Sequence, residues 1–156
     1  MKKELQEKLF KEYPGIFRQK DMDKSKTAMS WGISCGDGWY VLIDNLCANI
    51  QNRMLNVNRG KPKEAHLICE AVQVKEKFGG LRFYTQGCDD YIAGAIGLAE
   101  SMSYHICSAC GNPSSEQKSN RGWIHPNCNE CKEKRNKESA EISLSLRQLK
   151  IPFEEN

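Results

Sequence analysis

The sequence predicts an α+β fold: helices packed on a β-hairpin or small antiparallel sheet, followed by a C-terminal finger organised by cysteines. Three features of the chain lead there. One long stretch carries apolar residues at helical spacing, one run alternates about a Gly-Gly pair, and four of the eight cysteines form two C-x-x-C pairs near the C-terminus. A chain of 156 residues can bury a core of its own, so the finger need not supply all of the stability.

The first helix is expected over 3–13, with Leu5, Leu9 and Phe10 on one face and Pro14-Gly15 as its stop. Residues 18–30 are polar, rich in lysine and without period, and read as a mobile loop. Cys35-Gly36-Asp37-Gly38 reads as a tight turn, in which Asp37 or Gly38 caps the helix that follows. That helix is the strongest periodic signal in the chain: Trp39, Leu42, Ile43, Leu46, Cys47, Ile50 and Met54 share one face.

A hairpin follows at 71–86. Residues 71–78 alternate, Gly79-Gly80 reads as a two-residue turn, and residues 81–85 return. This register sets Lys77 opposite Arg82 and Lys75 opposite Tyr84. Val74, Phe78, Leu81 and Phe83 then fall on the other, apolar side. Asp89-Asp90 caps a second helix whose inner face holds Ile92, Ala95, Ile96, Ala99 and Met102. Its small residues, Ala93, Gly94, Ala95 and Gly97, permit close packing, including packing of two copies. Past Cys131 the chain reads as a charged helix to about Leu149, although Ile142–Leu146 also alternates as a strand would. Two units are expected: residues 1–104 as the α+β domain, and 105–156 as the finger and C-terminal helix.

The cysteine pattern C-x2-C-x17-C-x2-C joins Cys107, Cys110, Cys128 and Cys131. Two intervening residues let both sulfurs of a pair reach one ion, and two pairs complete a tetrahedral thiolate shell. These four residues are therefore expected to hold a structural Zn2+ in a treble-clef-like or ribbon-like finger. Such a site offers no open position for water or substrate. His105 and His125 lie nearby, either as replacement ligands or, more plainly, as surface or packing residues. Cys47 and Cys69 sit inside apolar patterns and read as buried small hydrophobes.

A net charge of +3 is too small by itself to mark a nucleic-acid binder. No apolar run is long enough to span a bilayer, and Met1-Lys2-Lys3-Glu4 does not lead into a signal-peptide core. A cytoplasmic protein without membrane contact is expected. No catalytic triad order, phosphate loop or metal-spaced histidine pair is present. Cys35 beside a helix start is a candidate nucleophile, and Asp89-Asp90 a candidate cation site as well as a cap. The hairpin offers more. Lys75, Lys77, Arg82 and Tyr84 share its solvent face, where like charges repel and an anion would relieve them. Two ammonium groups, a guanidinium and a ring suit a phosphate with a base or sugar attached, while the same side chains also suit a solvated face. Asp37 can accept from a ligand amide, and Trp39 can stack on a base or pack in the core. Lys132, Lys134, Arg135 and Lys137 form a basic stretch diluted by Glu133 and Glu138.

Two resemblances add to this. The finger resembles that of DksA/TraR-type transcription regulators in its spacing and flanking helices. Where those regulators carry a coiled-coil hairpin with an acidic tip, this chain has a basic β-hairpin. Over nearly the whole chain, the blocks Tyr13-Pro14, Phe17, 35–40 (CGDGWY), Leu46-Cys47, 73–84 (QVKEKFGGLRFY) and Cys107-x-x-Cys110-Gly111 resemble a family of small phage and prophage proteins. That resemblance implies a viral protein acting in the bacterial host cytoplasm. The expected function is non-enzymatic capture of an anionic ligand, a nucleotide or host immune signal, on the hairpin. The alternatives are a zinc-finger protein that binds nucleic acid or inhibits a host protein, and a small enzyme acting on a nucleotide.

Overall fold

The computed structural model describes residues 1–118 and 124–148. Helix α1 (Lys3–Glu12) buries Leu9 and Phe10, and the chain turns at Pro14-Gly15 as the sequence indicates. Strand β1 (Ile33–Ser34) is followed by a 3-10 turn, Asp37–Trp39, and by α2 (Tyr40–Asn58). Strands β2 (Glu70–Lys77) and β3 (Gly80–Gln86) form the hairpin, and α3 (Asp90–Ser103) leads to the cysteines. A small ribbon, β4 (Ser115–Lys118) and β5 (Ile124–Asn127), separates the two cysteine pairs, and α4 (Asn129–Gln148) closes the order. The fold class is the α+β one expected. Leu149 and the residues after it lie outside the described residues.

The sheet runs β1-β2-β3, with β1 parallel to β2 and β2 antiparallel to β3. It is therefore mixed; the parallel strand is only two residues long, too short to show a period. The inner sheet face, with Val74, Leu81 and Phe83, meets Phe17, Trp39, Ile43, Ile50, Ile92 and Ile96 in one core. Phe17 bridges Phe10 at 5.1 Å and Phe83 at 6.4 Å between ring centroids, both edge-on. Cys47 and Cys69 are fully buried, as their apolar settings suggest.

The open edge of β3 is covered by α3. Ser103 Oγ accepts from the Leu81 N–H at 2.8 Å, and Glu100 Oε1 accepts from the Phe83 N–H at 2.9 Å. These bonds satisfy donors that an edge strand would otherwise offer to other chains. Asp89 caps α3, accepting from Ile92 N–H at 3.0 Å, and holds Arg53 of α2 at 2.9 Å. Both roles explain Asp89 without a bound cation.

Two expectations are corrected. Residues 18–30 are not a mobile loop: they contain two 3-10 turns, Arg18–Asp21 and Ala28–Trp31, with Gln19, Thr27 and Met29 buried. Gln19 donates to the buried Glu70 carboxylate at 3.0 Å, and Arg18 pairs with the same group. Thr27 Oγ1 donates to Val72 O at 3.3 Å. Polar residues thus anchor this segment to β2, which hydrophobic periodicity does not reveal.

The hairpin register is also shifted. Phe78 and Gly79 form the turn, with φ of 54° and 78°, and Gly80 already belongs to β3. Two successive left-handed residues match the twist of a tight hairpin. Lys75 therefore faces Arg82, Gln73 faces Tyr84, and Lys77 faces Gly80. A shift of two residues keeps Lys75, Lys77, Arg82 and Tyr84 on one face. Phe78 leaves the apolar side and is 69% exposed. The charged helix expected past Cys131 forms as α4, which takes in 142–146, so the alternative strand there does not. Glu130/Lys134 and Glu133/Lys137 lie at the i,i+4 spacing that supports an exposed helix.

Candidate metal centre

Cys107 and Cys110 lie on the turn after α3, and Cys128 and Cys131 on the turn into α4. In the first turn Gly111 N–H donates to Cys107 O at 2.9 Å, and Gly111 takes φ 84°, which glycine adopts freely. In the second, Lys132 N–H donates to Cys128 O at 3.0 Å as α4 begins. Ser108 N–H donates to Pro126 O at 2.7 Å and ties the two turns together.

The four sulfurs lie within 4.8 Å of one another. Cys110 and Cys128 Sγ are 3.6 Å apart. A tetrahedral ion with metal–sulfur bonds of about 2.3 Å sets its sulfurs roughly 3.8 Å apart, so the spacing fits a shared metal. No histidine joins this cluster among the described residues. Cys107 is fully buried. Burial alone would raise its pKa, but N–H groups of Cys128, Cys110 and Ala109 donate to the sulfur and bring it down to about 6. Cys131 is pushed up to about 12, first by its hydrogen bond with Cys110 and then by burial.

The cysteine module rests on the body at two seats. The first is the 35–39 block. Gly38 N–H donates to Ser108 O at 3.0 Å, and Trp39 Nε1–H donates to Ile106 O at 2.9 Å. A Cβ on Gly38 would lie 2.7 Å from Cys110 N and closer still to Cys107 O and Gly111 N; one on Gly36 would fall on the Ser108 carbonyl. Only glycine lets these backbones approach so closely. The second seat is the hairpin tip. Ile124 of β5 covers Gly79, and a Cβ on Gly80 would meet the Tyr104 ring at 2.5 Å.

These contacts revise several expectations. Trp39 is fully enclosed and offers no face for a base to stack on. Its indole is a core group with a backbone partner. Replacing Trp39 with Phe should leave Ile106 O without that donor, at a cost of about 1–3 kcal/mol in chemical unfolding. Asp37 does not cap α2. It accepts from Lys2 N–H at 2.7 Å and pairs with Lys2 Nζ at 3.3 Å, and that N–H is the first reason its pKa is lowered. Cys35 is buried and pushed up to about 12 by desolvation, so it is not an activated nucleophile.

The hairpin's outer face is as basic as expected. Lys75 Nζ lies 5.8 Å from the Tyr84 ring centroid, and Lys77 Nζ lies 5.2 Å from that of Phe78. Arg82 donates to Tyr104 Oη at 2.8 Å and to Leu81 O at 2.6 Å. Lys75, Lys77 and Arg82 form no ion pair among the described residues. On α4, Lys132 and Arg135 are half-buried while Lys134 and Lys137 are exposed.

A cavity of about 690 Å³ opens between α2, α3 and the first cysteine turn, with Leu42, Leu98 and Met102 among its walls. No motif in the sequence pointed to it. Nor did any point to Gly36 and Gly38 as seats, although two glycines two residues apart at a helix start exceed what a cap requires. No helix among the described residues is long and apolar enough to cross a membrane. No known family model, curated protein or solved structure matches the chain.

Proposed function

We propose that this is a non-enzymatic binding protein, with a structural Zn2+ on Cys107, Cys110, Cys128 and Cys131, that takes an anionic ligand on the outer hairpin face. A nucleotide is the ligand class the side chains suit best. The zinc reading is supported by the all-thiolate donor set and its tetrahedral spacing. Four protein ligands leave the ion no reactive position, so its role is to fix the module.

The observation that carries the ligand reading is the lack of acidic partners for Lys75, Lys77 and Arg82 among the described residues. Lys75 and Lys77 lie on the outer face of β2, and half-buried Arg82, whose guanidinium also bonds Tyr104 Oη and Leu81 O, stands directly opposite Lys75. A phosphate between the strands relieves that repulsion and gains charge-assisted hydrogen bonds. Tyr84, 41% exposed on the same face, supplies a ring for a base. Trp39 and Asp37 have no part in this site. The shared blocks support a phage or prophage setting, in which capture of a host nucleotide signal is the role such a face would serve.

Calorimetric titration tests it, using zinc-loaded protein with mononucleotides, cyclic dinucleotides and ADP-ribose. At least one is expected to bind. Replacing Lys75 and Lys77 together by glutamine should weaken that binding by about 100-fold or more, since each charged hydrogen bond contributes roughly 1.5–3 kcal/mol. Silence across the panel from folded protein, or unchanged binding by the double variant, would remove the reading. Affinity for mixed-sequence nucleic acid that falls steeply with salt, with no nucleotide bound, would replace it with the nucleic-acid alternative.

A further inference from the structure

Cys107 differs from its three fellow ligands in being completely enclosed. A zinc ion with four thiolates carries a net charge of −2, and the part of it on Cys107 cannot be solvated by water. It must be met by protein donors. Backbone N–H groups of Cys128, Cys110 and Ala109 favour its thiolate form. A side chain adds to them: Asn127 Nδ2 donates to Cys107 Sγ at 3.7 Å.

Asn127 is itself buried, at 7% exposure, and an amide can present either end to the sulfur. Turned one way it donates to the thiolate; turned the other way its oxygen faces the negative sulfur and repels it. Arg135 decides between them. Its Nη1 donates to Asn127 Oδ1 at 2.8 Å, and a guanidinium has donors only, so the amide oxygen must face Arg135 and the NH2 the sulfur. Arg135 stands four residues after Cys131 on α4, so the face of the helix that supplies a ligand also supplies the group that orients Asn127.

We propose that Arg135 is a positioning residue for the metal: acting through Asn127, it aims a hydrogen bond at Cys107 and sets how firmly the four-cysteine centre holds its ion. The proposal rests on the zinc reading given above. It also separates Arg135 from its basic neighbours. Lys134 and Lys137 lie at i,i+4 spacing from Glu130 and Glu133, whereas Arg135 bonds the amide oxygen beside the cysteines.

Zinc release from the loaded full-length protein to excess 4-(2-pyridylazo)resorcinol tests this. Arg135→Ala and Asn127→Ala should each weaken zinc retention by about 10-fold or more, the usual effect of losing such a partner. The double variant should be no worse than either alone, because both break one chain of bonds. Arg135→Lys, with a single donor in place of the fork, should recover part of the loss. Lys134→Ala should release zinc at the wild-type rate. With Co2+ in place of zinc, the thiolate-to-metal absorption band should shift alike in the Arg135 and Asn127 variants, which a general loss of stability would not produce. If Arg135→Ala does not fold, Arg135→Gln, which retains a donor, takes its place and should fall between the wild type and Asn127→Ala. Wild-type release by the Arg135 variant, additive effects of the two positions, or an equal effect of Lys134→Ala would overturn the proposal. Wild-type protein that takes up no zinc would overturn the metal reading, and this inference with it.

Discussion

Removal of the metal is expected to destabilise the whole chain, not only its C-terminal third. Structural zinc sites contribute roughly 10–16 kcal/mol of apparent binding free energy in small fingers, much of it coupled to folding. Here the body has its own core, so part of that energy stays local. The shared part acts through the two seats. Gly38 and Trp39 lose their partners at Ser108 and Ile106 if the first cysteine turn relaxes, and Gly79 loses the cover of Ile124. If about 4 kcal/mol is felt globally, the thermal midpoint should fall by roughly 10 °C, at about 2–4 °C per kcal/mol for a chain this size. Chelation, or Cys131→Ser, followed by circular dichroism on heating, measures this. Acid should act in the same direction, because protons compete with the ion for thiolates and metal affinity falls with pH.

Gly38→Ala is the single substitution with the largest expected effect. The added methyl meets three backbone atoms of the Cys107–Gly111 turn, with Cys110 N at 2.7 Å the most distant of them. Backbone that carries metal ligands cannot yield without moving the sulfurs. Overpacking in ordinary cores costs about 1–3 kcal/mol by side-chain adjustment, and this site should exceed that range. Zinc stoichiometry on purification should fall together with the unfolding midpoint. Gly94→Ala is the matched control. A Cβ there meets nothing within 4 Å, and the helix interior should gain roughly 0.5–1 kcal/mol. Equal behaviour of the two variants would mean that Gly38 is not a seat.

The elements that were legible in the sequence are those governed by local rules. The period of α2, the alternation of the hairpin, the Asp89 cap and the C-x-x-C pairs all express spacing along a few residues. What was not legible depends on long-range packing. Gly36, Gly38, Gly79 and Gly80 read as turn residues, yet Gly36, Gly38 and Gly80 are glycine because distant backbone or ring atoms lie where a Cβ would be; Gly79 combines a positive φ with the cover of Ile124. Trp39 read as either core or ligand group, and only its enclosure decides between them. Order in 18–30 comes from Gln19, Thr27 and Arg18 bonding to β2, and polar side chains give no periodic signal. Asn127 belongs to no motif, and Arg135 read only as one member of a basic stretch. The 35–39 turn and the hairpin tip at Gly79-Gly80 are the two surfaces on which the cysteine module sits.

Residue-resolved hydrogen exchange on zinc-loaded and metal-stripped protein tests the union of module and body most directly. Loss of zinc should expose the amides of Gly38 and of the hairpin tip along with those of the Cys107–Gly111 turn. Protection lost from 107–131 alone, with the 36–39 and 78–81 amides unchanged, would show an appended finger and contradict the account.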